Sequence, residues 1–71
     1  MDNIYELEIN RIYLSRTGQR FKLLKKGVKY ALDCSIFMVV FTNINPTKDQ
    51  PAGTEWILDE DTFIKTFTEE K

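Results

Sequence analysis

The chain has 71 residues, of which 42% are hydrophobic, and it carries 10 Lys plus Arg against 11 Asp plus Glu, one Cys and no His. This length predicts a single domain, residues 1–71, with a small core, because a domain near 60 residues buries only about 60% of the surface of its unfolded chain. One thiol cannot form an internal disulfide, and without His the common zinc sites and catalytic triads cannot be assembled. We therefore expect a protein that is not an enzyme and that holds no metal and no cofactor.

No segment of the sequence is typical of a membrane span or of a secretory signal. The longest apolar run, residues 36–41, is far shorter than the ~20 residues that a transmembrane helix needs. The first residues are acidic and lack the apolar region of a signal peptide. We expect a cytoplasmic protein without a membrane partner, in which the single thiol, Cys34, stays reduced.

Charge is distributed unevenly along the chain, although the net charge is −1. Residues 1–10 carry three acids and no base, residues 11–33 carry seven bases and one acid, and residues 34–71 carry three bases and seven acids. A basic stretch between acidic flanks can steer a charged partner. The alternative is that these bases are simply the water-facing positions of a one-sided antiparallel sheet.

The N-terminal apolar residues change phase. From Tyr5 to Ile9 the apolar residues that alternate with Glu occupy odd positions, whereas Ile12 and Leu14 occupy even ones. Because one extra residue inverts the alternation of a strand, this pattern predicts two short strands with a bend or a bulge between them, near residues 10–11.

The middle of the chain predicts further strands. Residues 20–24 and 28–32 each alternate between apolar and polar side chains, as a half-buried strand does. Gly27 follows two lysines between these stretches and can adopt a positive φ without steric cost, so a hairpin turn is predicted there. A Thr-Gly pair at residues 17–18 predicts an earlier turn. Residues 36–41 are apolar on both parities, which predicts a central strand covered on both faces.

The C-terminal part predicts a loop, a short strand and a helix. Residues 43–54 contain two prolines, a glycine and one large apolar side chain, which is typical of a long loop. A short strand is predicted over residues 55–58. Asp59 is a suitable N-cap, two further acids follow it in the first turn, and Phe63 and Phe67 lie on one face of the predicted helix.

Together these elements predict an α+β domain, a small, strongly bent, mostly antiparallel sheet or small barrel of five to six strands with one C-terminal helix. The residues predicted to form its core are Phe21, Leu23, Val28, Tyr30, Val39, Phe41, Trp56, Phe63 and Phe67.

A few spaced glycine and aromatic positions carry a resemblance. In chain order they are Gly18 two residues before an Arg20-Phe21 strand start, the run Met38–Phe41, and Trp56 seven residues before Phe63 and a terminal helix. This order, over residues 12–68, resembles small uncharacterised phage and bacterial proteins with an SH3-like, partly open β-barrel. The resemblance implies a barrel closed by a short helix in an accessory protein of a phage or mobile element, and it implies no functional residue. The N-terminal strand and the proline-containing loop depart from that pattern.

We expect this protein to act by binding another protein, for example as a phage-encoded inhibitor or modulator of a host enzyme. Residues 4–9 alternate apolar side chains with two glutamates, which suits a strand at the edge of a sheet, and the loop over residues 43–54 offers an irregular surface. The predicted partner-binding residues are Tyr5, Glu6, Glu8, Asn45, Lys48 and Asp49.

The alternative is a nucleic-acid-binding protein. Its predicted contact residues are Arg16, Arg20, Lys22, Lys25, Lys26 and Lys29, which alternate with aromatic residues as in single-strand binders. Phe21 and Tyr30, however, occupy positions that the alternation assigns to the core. The isoelectric point of 5.3 is also far lower than that of typical phosphate-binding domains, which lies above about 9. A third hypothesis is a small enzyme subunit whose active site needs residues of a partner.

Overall fold

Five antiparallel strands and one short helix make up residues 7–70, the part of the chain that the structure, a computed structural model, describes. The elements are β1 (Ile12–Leu14), β2 (Arg20–Ala31), β3 (Cys34–Asn43), β4 (Glu55–Asp59), α1 (Glu60–Thr66) and β5 (Thr68–Glu69). The strands form one open sheet in the order β4-β3-β2-β1-β5. The predicted α+β class, with a small antiparallel sheet and a helix near the C-terminus, is confirmed.

The turn between β1 and β2 is where the sequence predicts it. Gly18 has a φ of 87°, which glycine adopts without the steric cost that a side chain brings. Its N–H donates to the Ser15 carbonyl at 2.9 Å, and the Ser15 N–H donates to the Gln19 carbonyl at 2.9 Å. These bonds close the turn that joins the two strands.

The predicted hairpin turn at Gly27 is wrong. Gly27 lies within β2 opposite Met38, and β2 continues for 12 residues. The change of phase comes instead from a bulge at Leu24, because Leu23 pairs with Phe41 and Lys25 already pairs with Val40. An extra residue in one strand inverts its alternation as a turn would, so the side-chain pattern alone fits both structures. The connection to β3 is a tight turn over residues 32–33.

One face of the sheet, called here the inner face, packs against α1 to form the core. The residues buried there are Leu7, Tyr13, Phe21, Leu23, Val39, Phe41, Phe63 and Phe67, with Trp56, Leu58 and Ile64 partly buried against them. Six of the nine predicted core residues are thus confirmed as buried, and Trp56 packs against them. Leu7 and Tyr13 are core residues that the sequence analysis left out.

Val28 and Tyr30 are not core residues, contrary to the prediction. They have the inner-face parity, but 58% and 80% of their surfaces are exposed. The reason is length: a seven-residue helix covers about 10 Å, whereas a 12-residue strand runs for about 40 Å. The same shortfall leaves Phe37 62% exposed, so β3 is not covered on both faces as predicted.

The N-terminal residues bend where the phase change predicts it. Asn10 has a φ of 71°, and the Arg11 N–H donates to the Glu8 carbonyl at 3.3 Å. Leu7 is buried, but residues 7–9 form no strand. Of the predicted strand over residues 4–9, the first three lie outside the described residues. The two edges of the described sheet are β4 and β5, and β1 lies between β2 and β5.

The predicted N-cap and apolar face of α1 are confirmed. The Asp59 side chain accepts a hydrogen bond from the Thr62 N–H at 2.9 Å, which satisfies a backbone donor of the first turn. The Phe63 and Phe67 rings stack with their centroids 4.4 Å apart. Phe63 also meets the rings of Tyr13 and Phe41 edge to face, at 5.3 Å and 5.0 Å, which fixes the helix over the sheet.

Candidate interaction surface

Strands β2 and β3 extend beyond the core as a two-stranded arm, defined here as residues 25–38. Within the described residues, β4 pairs with β3 only from Met38 onward, and backbone contacts to β2 from the N-terminal side reach no further than Leu23. Within residues 7–70, the arm therefore has two open strand edges and no covering layer. Because a two-stranded hairpin alone is only marginally stable in water, an arm of this length gains stability from anything that covers it.

The inner face of the arm is apolar, and the described residues leave it largely exposed. The β2–β3 register places Val28 beside Phe37 and Tyr30 beside Ser35, on the side of the sheet where Val39 is buried. The exposed fractions of Val28, Tyr30 and Phe37 are 58%, 80% and 62%. Leu32, in the turn at the tip, is 91% exposed. A contiguous exposed apolar patch of this kind is typical of interaction sites.

Opposite charges flank this apolar patch. Lys26, Gly27, Val28, Phe37 and Glu60 line one shallow depression at the base of the arm. Lys26 has the inner-face parity, since it pairs with Val39, and Glu60 is the first residue of α1. No ion pair within residues 7–70 involves either side chain. The apolar floor therefore lies between an acid and a base that pair neither with each other nor with another charged group of the described residues.

The outer face of the sheet collects most of the predicted nucleic-acid-binding residues. Arg20, Lys22, Lys25 and Lys29 share this face, because the bulge at Leu24 keeps the two later lysines in phase with the two earlier bases. Arg20 forms an ion pair with Glu70 at 3.1 Å, whereas the three lysines form none within the described residues. Lys26 lies on the inner face, and Arg16 is exposed in the turn before β2.

The predicted partner-binding residues are not brought together by contacts in the described part of the chain. Tyr5 and Glu6 lie outside the described residues. Glu8 pairs with Arg11, whose Nε lies 2.9 Å from Glu8 Oε1, and no hydrogen bond or ion pair joins Glu8 to the loop within residues 7–70. Asn45, Lys48 and Asp49 are exposed in the loop between β3 and β4, as predicted from its composition. No motif in the sequence indicates the arm, because its exposure depends on the length of α1.

The loop between β3 and β4 is tied to the sheet by one buried amide. Asn43 is 2% exposed, and its Nδ2 donates to the carbonyls of Asn45 and Pro51, both at 2.9 Å. The Gly53 N–H donates to the Asn43 carbonyl at 3.0 Å. The loop therefore has a defined base, and its exposed residues project from a fixed support.

A second apolar depression lies on the inner face near this loop. Its lining includes Phe21, Phe41, Trp56 and Phe67, together with Thr47 of the loop. Three of these rings, those of Phe21, Phe41 and Phe67, are buried and already pack against one another; the Phe21 centroid lies 5.5 Å from that of Phe41 and 5.3 Å from that of Phe67. The three buried rings therefore leave little of their own surface to a partner.

The shifted pKa values in the described residues have structural causes. Burial raises the pKa of the Tyr13 hydroxyl, which accepts a hydrogen bond from the Glu8 N–H at 3.0 Å. Hydrogen bonds from Thr62 lower the pKa of the Asp59 carboxyl at the helix N-cap. The carboxylates of Glu8 and then Glu69 raise the pKa of the Arg11 guanidinium. All three groups support the fold, at the core, the cap and the β1–β5 pairing.

No group of three or more potential metal-ligating side chains occurs within residues 7–70. Cys34, at the start of β3, is exposed and free. In the described part of the chain, no helix has the length and apolarity needed to cross a bilayer.

Comparisons with protein-family models, with curated proteins and with solved structures found no match to this chain. The function must therefore be inferred from the arm, the outer basic face and the loop themselves.

Proposed function

We propose that this chain is a non-catalytic binding protein that acts through protein–protein contact, and that the inner face of the arm is its docking surface. The observation that supports this is the exposure of Val28, Tyr30 and Phe37 on a sheet face whose other half forms the core. Residues with core parity but no covering layer are what a partner's apolar surface would bury.

The patch would supply part of the free energy of specific binding. Burying a Val or Phe side chain completely contributes about 1.5–3 kcal/mol. Because the three residues expose 58%, 80% and 62% of their surfaces, covering them would contribute on the order of 4 kcal/mol before the cost of association is subtracted. Tyr30 also provides a hydroxyl, and tyrosine is among the residues enriched at the energetic centres of interfaces.

Two narrower proposals accompany this function. A role as a phage-encoded modulator of a host enzyme rests on the sequence resemblance to small phage and bacterial proteins. An SH3-like barrel rests on the same resemblance, and both stay predictions.

The arm can be tested against the loop by capture from a cell lysate. We expect Tyr30→Ser and Phe37→Ser each to abolish capture of a partner protein, because they remove the exposed apolar surface without touching the core. Ile57→Ser is the matched control, since Ile57 is 65% exposed and lies on the outer face of β4 beside Val40. A triple alanine variant at Asn45, Lys48 and Asp49 should retain capture. Loss of capture in the loop variant, with retention in both arm variants, would place the docking surface on the loop.

The outer face supports nucleic-acid binding as a second candidate function. Lys22, Lys25 and Lys29 share one face and form no ion pairs within the described residues. A two-stranded ribbon also fits the roughly 12 Å wide major groove of duplex DNA.

This second candidate predicts a steep dependence of affinity on salt. The logarithm of the binding constant should fall with the logarithm of salt concentration, with a slope of about −0.9 for each phosphate neutralised on a duplex. Lys22→Glu combined with Lys29→Glu should abolish binding, whereas Lys48→Glu in the loop should leave it nearly unchanged. A fluorescence titration at low salt that detects no association up to high micromolar protein would remove this candidate.

A further inference from the structure

We infer that the inner face of the arm binds a second copy of this chain, in a two-fold symmetric dimer. This inference rests on the proposed function, since it names the partner of the same docking surface. It depends on two observations, the area of the uncovered apolar patch and the arrangement of charge around it.

The exposed apolar area suits a modest dimer. Tyrosine and phenylalanine side chains bury about 150–250 Å² each when covered. With Tyr30 and Phe37 exposed by 80% and 62%, and Val28 and Leu32 by 58% and 91%, these four residues offer roughly 400–600 Å² per copy. Two copies would bury about 1,000 Å² of apolar surface, and the polar rim would bring the total near the lower end of specific interfaces, which begin at about 1,200 Å².

The charges around the patch are self-complementary. In a two-fold dimer, when a residue i of one copy contacts a residue j of the other copy, residue j of the first copy also contacts residue i of the second. Lys26 and Glu60 flank the same apolar floor and form no ion pair with each other. A two-fold axis between them would place Lys26 of each copy against Glu60 of the other. One rotation therefore pairs two bases with two acids and stacks the two apolar faces.

This geometry also provides the layer that the arm lacks. Each copy contributes two strands whose inner faces continue the faces of their own cores. Two such faces in contact form a two-layer sandwich, and packed sheets lie about 10 Å apart, which the side chains of Val28, Tyr30 and Phe37 can fill. The bases of the outer face stay exposed on both sides of the dimer.

Sedimentation equilibrium of the purified full-length protein tests the inference. We expect a reversible dimer with a dissociation constant in the micromolar range, as an interface near the lower size limit allows. Phe37→Asp should weaken association at least about 100-fold, because it places a carboxylate in the centre of the apolar contact. Ile57→Asp, at an exposed residue of the outer face, should leave it within about threefold. Circular dichroism and a denaturation midpoint establish that each variant is folded.

A charge exchange tests the symmetry. Lys26→Glu and Glu60→Lys should each weaken self-association about tenfold or more, because each single change opposes two like charges across the interface. The double variant should restore it to within about threefold, and an equimolar mixture of the two single variants should form the heterodimer. Lys25→Glu, on the opposite face of β2, is the matched control for Lys26→Glu and should dimerise like the original chain.

Three outcomes would overturn the inference. The first is a chain that remains monomeric at about 1 mM, a concentration at which even weak specific dimers form. The second is a double variant, Lys26→Glu with Glu60→Lys, that dimerises as weakly as each single variant. The third is dimerisation that appears only after residues 1–6 are removed, since the face would then be occupied by the chain's own N-terminal segment. If the chain is monomeric and Tyr30→Ser still abolishes capture of a different protein, the proposed function stands and the second copy alone is wrong.

Discussion

Trp56 donates its indole N–H to Oδ1 of Asn43 at 3.2 Å, and this bond joins β4 to the end of β3, where the loop begins. Asn43 is 2% exposed, and its Nδ2 donates to the carbonyls of Asn45 and Pro51. One side chain thus satisfies an indole donor on β4 and two carbonyls of the loop. The long loop holds its shape because a buried amide, with both donors and an acceptor, is placed where the strand ends.

Replacing Asn43 with alanine should destabilise the fold by about 2 kcal/mol, because it leaves the Trp56 indole and two carbonyls without their partner. Asn45→Ala is the control, since only the backbone carbonyl of Asn45 takes part. Urea denaturation measures both variants. A cost below about 0.5 kcal/mol for Asn43→Ala would show that water replaces the amide and that the loop does not depend on it.

Asn43→Asp makes a sharper test, because the new carboxylate would face two carbonyl oxygens. Repulsion and burial should raise its pKa in the folded state above the ordinary value of about 3.9. A raised carboxyl pKa means that the folded state binds the proton more tightly, so the deficit of the variant is largest at neutral pH and shrinks as the pH falls toward about 4. Denaturation midpoints of the variant and the original chain, compared from pH 7 to pH 4, measure this difference.

The fold could be predicted from the sequence where a residue pattern reports on local structure. The turn at Gly18, the cap at Asp59 and the helix face that carries Phe63 each depend on neighbours within a few positions. The pattern also assigned Val28 and Tyr30 to the correct face of the sheet. It could not assign their burial, which depends on how far α1 extends along that face.

The candidate site could not be predicted for the same reason. The arm exists because β2 passes Gly27 without turning, and the turn and the bulge at Leu24 produce the same alternation of side chains. Only the pairing of β2 with β3 distinguishes the bulge from a turn. The lysines of the outer face were predicted as candidates, but their common face also depends on that bulge. Asn43 could have been suspected from a polar residue ending an apolar strand, although its three hydrogen bonds involve residues up to 13 positions away.

Truncation of one phenylalanine in the core and one in the arm should have different effects on the free energy of unfolding. Phe63→Ala should cost about 3–5 kcal/mol, because Phe63 is fully buried and contacts the rings of Tyr13, Phe41 and Phe67. Phe37→Ala should cost less than about 1 kcal/mol at low protein concentration, where no partner covers its exposed ring. Chemical denaturation of both variants gives the comparison. Equal costs would mean that the inner face of the arm is covered within a single chain.

Tyr13 should make the fold sensitive to alkali. Burial raises the pKa of its hydroxyl, so the folded state retains this proton at a pH where the unfolded chain has lost it. The stability contributed by the protonated form is therefore complete below the unfolded pKa of about 10 and declines as the pH rises above that value.

Tyr13→Phe should flatten this alkaline decline, at a cost near 1 kcal/mol at neutral pH from the lost hydrogen bond with the Glu8 N–H. Tyr30→Phe is the control, because its ring is 80% exposed, and this variant should retain the decline. Melting temperatures between pH 7 and pH 11 measure the effect. A decline of the same steepness in Tyr13→Phe would assign it to other groups.

Leu32 connects stability with binding at the tip of the arm. It occupies the two-residue turn between Ala31 and Cys34 with a φ of 36°, and 91% of its surface is exposed. A leucine gains nothing from burial here, yet its Cβ makes a positive φ unfavourable by about 1 kcal/mol. Asparagine tolerates this backbone conformation, so Leu32→Asn should stabilise the isolated chain by up to about 1 kcal/mol.

If the arm is the docking surface proposed above, the same substitution should weaken its contacts, because it removes an exposed apolar side chain from the tip of the arm. Stability and binding should thus change in opposite directions, which is expected where backbone strain is maintained for function. Leu32→Ala separates the two effects, since it removes the apolar side chain but keeps the Cβ and the unfavourable φ. Denaturation midpoints measure the stability of the two variants, and dimer dissociation constants measure their association. If Leu32→Asn is more stable and associates as tightly as the original chain, the tip lies outside the interface and the contact is confined to Val28, Tyr30 and Phe37.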